Sequence, residues 1–263
     1  MSPAHILAVA SGKGGVGKSV VALNMSVALA RRGRRVLLID ADWGLGDIAA
    51  LVGMSPEHTI EEVVQGRCSV EEAVVEGPAS VSILPASADR DAAFWENGEI
   101  DGTALSLLDG FVDRFDCVVI DTGAGISARS VAFVGAAYEA LLLITPEPTA
   151  IADSYATLKA VLRRNPELEV GLVVNMADSP EEAQDLYVKF RQIVRRFLGA
   201  EIDNRGYIPL DRYVREAVKR QSPFVLASPP PPAAEAVVAI AESLLEREER
   251  KGASGEGLFA RLL

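Results

Sequence analysis

The chain has 263 residues, 49% of them apolar, and a formal net charge of −11. That apolar content supports a buried core and excludes disorder for most of the length, which fits one large α/β domain or two small ones. The acidic balance argues against a general nucleic-acid binder. No apolar run reaches 18 residues and the N-terminus lacks a secretory pattern, so a chain neither exported nor membrane-spanning is expected.

The apolar run Ile6–Ala10 predicts a first strand, and it feeds the loop Ser11-Gly-Lys-Gly-Gly-Val-Gly-Lys-Ser19. Gly12, Gly17, Lys18 and Ser19 fill every fixed position of the pattern G-x-x-x-x-G-K-[ST]. Apolar periodicity over Val20–Ala30 predicts the helix that leaves the loop. In that setting the backbone from Gly12 through Lys13, Gly14, Gly15, Val16, Gly17, Lys18 and Ser19 to Val20 surrounds a phosphate at a helix N-terminus, where the dipole favours anions. Lys18 is expected to reach the β/γ-phosphates, and Ser19 to hold Mg²⁺.

Five more strand-like runs follow: Val36–Ile39, Val81–Leu84, Cys117–Ile120, Leu141–Ile144 and Val170–Val174. They are continuous rather than alternating, as strands buried on both faces are. Capping boxes at Thr59–Glu62, Ser69–Glu72 and Ser179–Glu182, the last with Pro180 at the first helical position, predict helix starts between them. A succession of βα units gives an α/β fold, a doubly wound, mostly parallel sheet flanked by helices. One domain is read over residues 1–226. Residues 227–250 form a Pro-rich break and a C-terminal helix packed on that domain. Residues 251–263 are a flexible linker and a short apolar tail.

In open parallel sheets ligands sit beyond the carboxyl ends of the strands. Asp40-Ala-Asp42 ends the second run and Asp121-Thr-Gly-Ala-Gly125 the fourth, so both segments are placed beside the phosphates. Asp121 fits the acidic residue that holds Mg²⁺ through water, and Gly123 and Gly125 let the backbone approach the γ-phosphate. Asp40 either serves the site or braces the loop. Cys68, Cys117, His5 and His58 are scattered and show no metal-site spacing; the cysteines read as reduced packing residues.

Ser11–Ser19 with Lys13 resembles the deviant phosphate loop of the MinD/ParA group of ATPases, over nearly the whole domain. The resemblance implies ATP/ADP and Mg²⁺ as cofactors, with Ser19, Asp42 and Asp121 around the metal. It implies a homodimer formed in ATP, in which Lys13 crosses to the partner's nucleotide like an arginine finger, while Asp42 places the attacking water beside Asp40. Asn175 would recognise adenine and Pro209 would lie over the base. Within the group, stretches such as Asp40–Ile48, Ile120–Ser127, Thr145–Lys159 and Tyr207–Leu226 are similar to the FlhG branch (FleN or YlxH), which regulates flagellar number and placement.

That branch implies partners in the SRP-type GTPase FlhF and in flagellar C-ring or regulatory proteins. The D-Q-A-x-x-L-R motif by which it stimulates FlhF does not precede the first run here. Trp43 stands where a smaller residue is usual, and it either alters partner contacts or packs.

The tail Leu258-Phe-Ala-Arg-Leu-Leu263 places Leu258, Phe259, Leu262 and Leu263 on one helical face, similar to the family's membrane-targeting helix. Burying those side chains yields at most about 6–12 kcal/mol. Ordering eight residues costs about 8–16 kcal/mol, so one copy is marginal and two copies on a dimer gain by effective concentration. The other reading of the tail is docking on its own domain. Alternatives for the whole chain are a MinD-type division-site ATPase, a ParA-type DNA partitioner, against which the acidic charge weighs, and a carboxylate-activating synthase of the same fold.

Overall fold

The computed structural model describes residues 4–88, 108 and 110–251; the tail residues Leu258, Phe259, Leu262 and Leu263 and the linker beyond 251 lie outside the described residues. Eight strands form one sheet in the order β3-β4-β2-β5-β1-β6-β7-β8. In chain order they are β1 (His5–Ser11), β2 (Val36–Ala41), β3 (Val75–Glu76), β4 (Ser82–Leu84), β5 (Cys117–Thr122), β6 (Glu139–Ile144), β7 (Glu169–Ala177) and β8 (Asp203–Pro209). Among the described strands only the short β3 runs antiparallel to its neighbour.

The continuous apolar runs are explained by two cores, one on each face of the sheet. Along β1, Ile6, Ala8 and Ala10 enter one core while Leu7 and Val9 enter the other. Helices α5 (Ala128–Ala136), α6 (Pro148–Arg164) and α7 (Pro180–Leu198) cover the first face. Helix α1 (Lys18–Arg31), the short α8 (Arg212–Lys219) and the C-terminal α9 (Pro232–Lys251) cover the second. Val237, Ile240, Ala241 and Leu244 of α9 are buried against α1 and β8, so this helix completes the same core that α1 begins.

Helices α2 (Ile48–Leu51), α3 (Ile60–Val64) and α4 (Val70–Ala73) lie between β2 and β3. The boxes at Thr59 and Ser69 form, with Glu62 accepting the Thr59 N–H at 3.0 Å and Glu72 the Ser69 N–H at 2.8 Å. The third box is corrected. Ser179 Oγ accepts the Glu182 N–H, but the Glu182 carboxylate turns to the Asp178 N–H at 2.8 Å.

Two strands have no apolar run to announce them. β3 is two residues long. β8 reads Asp-Asn-Arg-Gly-Tyr-Ile-Pro and lies at the sheet edge, and a buried ion pair anchors it. Arg205 Nε donates to Glu139 Oε1 at 2.7 Å, and Gly171 makes the room, since a Cβ there would stand 2.4 Å from Arg205 Cγ.

Candidate nucleotide site

The carboxyl end of β1 is the point where the chain connections diverge, with β5 on one side and β6 on the other. The loop Gly12–Gly17 leaves there. Ser11 Oγ donates to the Lys13 carbonyl at 2.9 Å, and the Gly125 N–H reaches the Ser11 carbonyl at 2.9 Å, joining the segment after β5 to the loop. Gly12 has no space for a side chain, because a Cβ would lie 2.2 Å from the backbone of Asp153 and Ser154 in α6. Gly17 has φ 83°, and α1 begins at the next residue, so the first-turn N–H groups of α1 lack intrahelical acceptors and face outward as an anion cradle.

Lys18 is buried, with Nζ 3.1 Å from Asp121 Oδ1. Asp121 is fully buried and its second oxygen, Oδ2, has no hydrogen-bond partner. Burial raises the Asp121 pKa, while the Lys18 ammonium and the Ser19 hydroxyl pull it back. An orphaned carboxylate oxygen beside a serine hydroxyl and a lysine, at a helix N-terminus, fits a phosphate chelated with a hard divalent cation.

Asp42 lines the opposite wall. Its oxygen would stand 3.1 Å from a Cβ on Gly123, so Gly123 is what lets the segments after β2 and β5 approach. Burial raises the Asp42 pKa first, with Lys18 opposing it. Asp40 is 0% exposed and its carboxylate does not line the cavity. Oδ1 accepts the Asp42 N–H at 3.1 Å and Oδ2 the Ile48 N–H at 3.2 Å. Burial and the neighbouring Asp121 push its pKa to about 8. Asp40 therefore holds the backbone that carries Asp42.

A cavity of about 1540 Å³ opens beside the loop. It gathers Lys13, Gly14, Gly15, Gly17, Lys18, Ser19 and Val20 with Asp42, Asn175 and Pro209, whereas Gly12, Val16, Asp121 and Gly123 are not part of its lining. Asn175 is buried near the end of β7, and its amide donates to the Val16 carbonyl at 2.7 Å, so one arm of that side chain is spent on the loop. Lys13 is exposed, with Nζ 2.6 Å from Glu147 Oε2.

Sequence reading missed Leu210, Asp211, Arg212 and Arg215, which line the far side of the cavity after β8, because no apolar run marks that strand. It also missed Arg129 of α5. Its guanidinium lies 4.7 Å over the Trp43 ring, within electrostatic reach of Asp42 and Glu61. Trp43 is 8% exposed and meets Phe133 edge-on at 6.0 Å, so it packs.

A ParA family model, described as NUBPL iron-transfer P-loop NTPase, matches residues 2–245. The antiactivator FleN of Pseudomonas aeruginosa is 37% identical over 93% of this chain and 87% of its own length. The flagellum site-determining protein YlxH of Helicobacter pylori is 32% identical over 80% of this chain and 72% of its own. Among solved structures, the septum site-determining protein MinD of Pyrococcus horikoshii, complexed with Mg-ADP, superposes with a TM-score of 0.77. It is 26% identical, over 95% of this chain and all of its own.

Proposed function

The chain belongs to the ParA/MinD family of P-loop NTPases, and from that premise we propose that it is an ATP-driven dimerising switch that limits and positions flagella. The observation that carries this reading is the division between two lysines of one loop. Lys18 is buried against Asp121, whereas Lys13 is exposed at the rim of the cavity beside Glu147. A solvent-exposed lysine held by a partly exposed Glu147 supports a role at another subunit's nucleotide.

In this account residues 1–226 form the ATPase domain, with the C-terminal helix packed on it. The N–H groups from Gly12 to Val20 bind the phosphates, and Lys18 exchanges Asp121 for β/γ oxygens. Ser19, Asp42 and Asp121 hold Mg²⁺, whose charge offsets that of the phosphates. Asp42 orients the attacking water, and Asp40 and Gly123 keep Asp42 in place. Asn175 and Pro209 border the base. Lys13 leaves Glu147, crosses the dimer interface and stabilises charge that develops in the transition state.

Turnover is slow and requires the dimer, so hydrolysis times the dimer's release from its partners. No described helix is long and apolar enough to cross a membrane. The proposed contact with the inner face of the cytoplasmic membrane is peripheral, through the tail. The partners proposed are a second copy of this chain, FlhF and proteins of the flagellar base; DNA is not among them. Deleting the gene in its host and counting flagella and minicells tests the biological role. Supernumerary or misplaced flagella with normal division are expected, and minicells with normal flagella would contradict it.

A further inference from the structure

His58 and Glu62 stand four residues apart, and the fold brings Cys68 to the same point. His58 precedes the Thr59 cap of α3 and Glu62 follows four residues later, which places both on one side of the helix start. His58 Nδ1 stands 3.4 Å from Glu62 Oε2. Gly66, at φ 67°, turns the chain back after α3 and returns Cys68 to the same point. One nitrogen, one carboxylate oxygen and the thiol sulfur all lie within 4.8 Å of one another, each on a half-buried residue. None of the three lines the nucleotide cavity.

We propose that His58, Glu62 and Cys68 form a binding site for one divalent transition-metal ion of the zinc class. The donor set is the argument. A thiolate, an imidazole and a carboxylate are the ligands of zinc and cobalt, whereas magnesium and calcium take oxygen alone. Bond lengths of about 2.0–2.3 Å put the ligands of a tetrahedral ion about 3.3–3.7 Å apart. The His58–Glu62 pair already has that separation. The sulfur, within 4.8 Å of both, has to close by at most about 1 Å, a side-chain rotation that half-buried residues permit.

Electrostatics favours the cation. The Glu62 and Glu72 carboxylates act electrostatically on the Cys68 sulfur, and their negative charge attracts a cation to it. Glu72 is fixed beside the site by the Ser69 N–H and hydroxyl. On binding, Cys68 releases its proton to solvent, neutral His58 offers the Nδ1 lone pair with its proton on Nε2, and Glu62 enters as the carboxylate. One proton leaves per ion, with no change of oxidation state. Water completes the fourth position. The ion would clip the start of α3 to its exit turn, close to where the Ile60 N–H meets the Pro85 carbonyl at 2.8 Å.

The test is a Co²⁺ titration of the untagged, nucleotide-free full chain in excess Mg²⁺, which occupies oxygen-only sites. A near-ultraviolet thiolate-to-cobalt band saturating at one equivalent and displaced by Zn²⁺ is expected. Cys68→Ser abolishes the band, and His58→Gln and Glu62→Gln each weaken binding by more than about tenfold, since even outer partners of a metal ligand are worth that much. Gln at position 62 keeps the capping acceptor, so α3 persists. No thiolate band in the wild type, or a band that survives Cys68→Ser, overturns the proposal.

Discussion

Gly12 and Gly14 sit two residues apart in one loop and answer to different constraints. A methyl at Gly12 meets the Asp153 and Ser154 backbone at 2.2 Å, whereas at Gly14 nothing lies within 4 Å. Gly12→Ala is therefore expected to lose nucleotide binding and about 1–3 kcal/mol of stability, with Gly14→Ala melting like the wild type. A fluorescent-nucleotide titration beside thermal melts checks both. The Lys18–Asp121 pair makes a second residue-scale prediction. Lys18→Met strands a buried carboxylate and costs up to about 3–5 kcal/mol in urea unfolding of the nucleotide-free protein. Adding Asp121→Asn recovers part of that loss, because both charges are then gone. At this scale the loop was legible in the sequence, since four fixed positions after an apolar run admit few other readings. The brace formed by Asp40 was not decided there, because whether a strand-end carboxylate faces a ligand or two backbone N–H groups depends on the turn that follows. Trp43 was undecided for the same reason, its neighbours Phe133 and Arg129 being ninety and eighty-six positions away.

Among the elements, the six strands with continuous apolar runs could be read directly, because both faces of each are buried and no alternation blurs the signal. β8 could not. It is an edge strand whose inward anchor is charged, and a buried guanidinium is invisible to a hydrophobic pattern. The residues after β8 that border the cavity were missed with it. The amino ends of β2 and β5 are joined by another charged contact. Arg35 Nη2 donates to Asp116 Oδ1 at 2.7 Å, and the Arg35 N–H to Asp116 Oδ2 at 2.8 Å. These bonds hold the Asp116 pKa below the ordinary carboxylate range. A depressed carboxylate contributes stability at neutral pH that fades as pH falls through its unfolded and then its folded pKa. Asp116→Asn should thus cost about 0.5–1 kcal/mol at pH 7, given the partly exposed pair. The difference from the wild type should shrink below about pH 4. Denaturant titrations across pH 3–7 measure it.

For the whole molecule, the doubly wound fold follows from local patterns, whereas the proposed functional unit spans two chains. The cradle, the Lys18–Asp121 pair and the Asp42 wall are assembled by a single copy. Lys13, at the cavity rim, is instead exposed and paired with Glu147. Burial and charge tie Lys18, Asp42 and Asp121 to the monomer's own site, and the role proposed for Lys13 requires a second copy. The most direct measurement is the solution mass with ATP or ADP, by light scattering, for Asp42→Ala, expected to bind ATP without hydrolysing it, and for the same protein carrying Lys13→Ala, with steady-state ATPase assays on each single variant. The account predicts a dimer of Asp42→Ala in ATP and a monomer in ADP. Lys13→Ala should remain monomeric in both, bind nucleotide and fail to hydrolyse it. A Lys13→Ala protein that stays monomeric at low concentration yet hydrolyses ATP at the wild-type rate would contradict it.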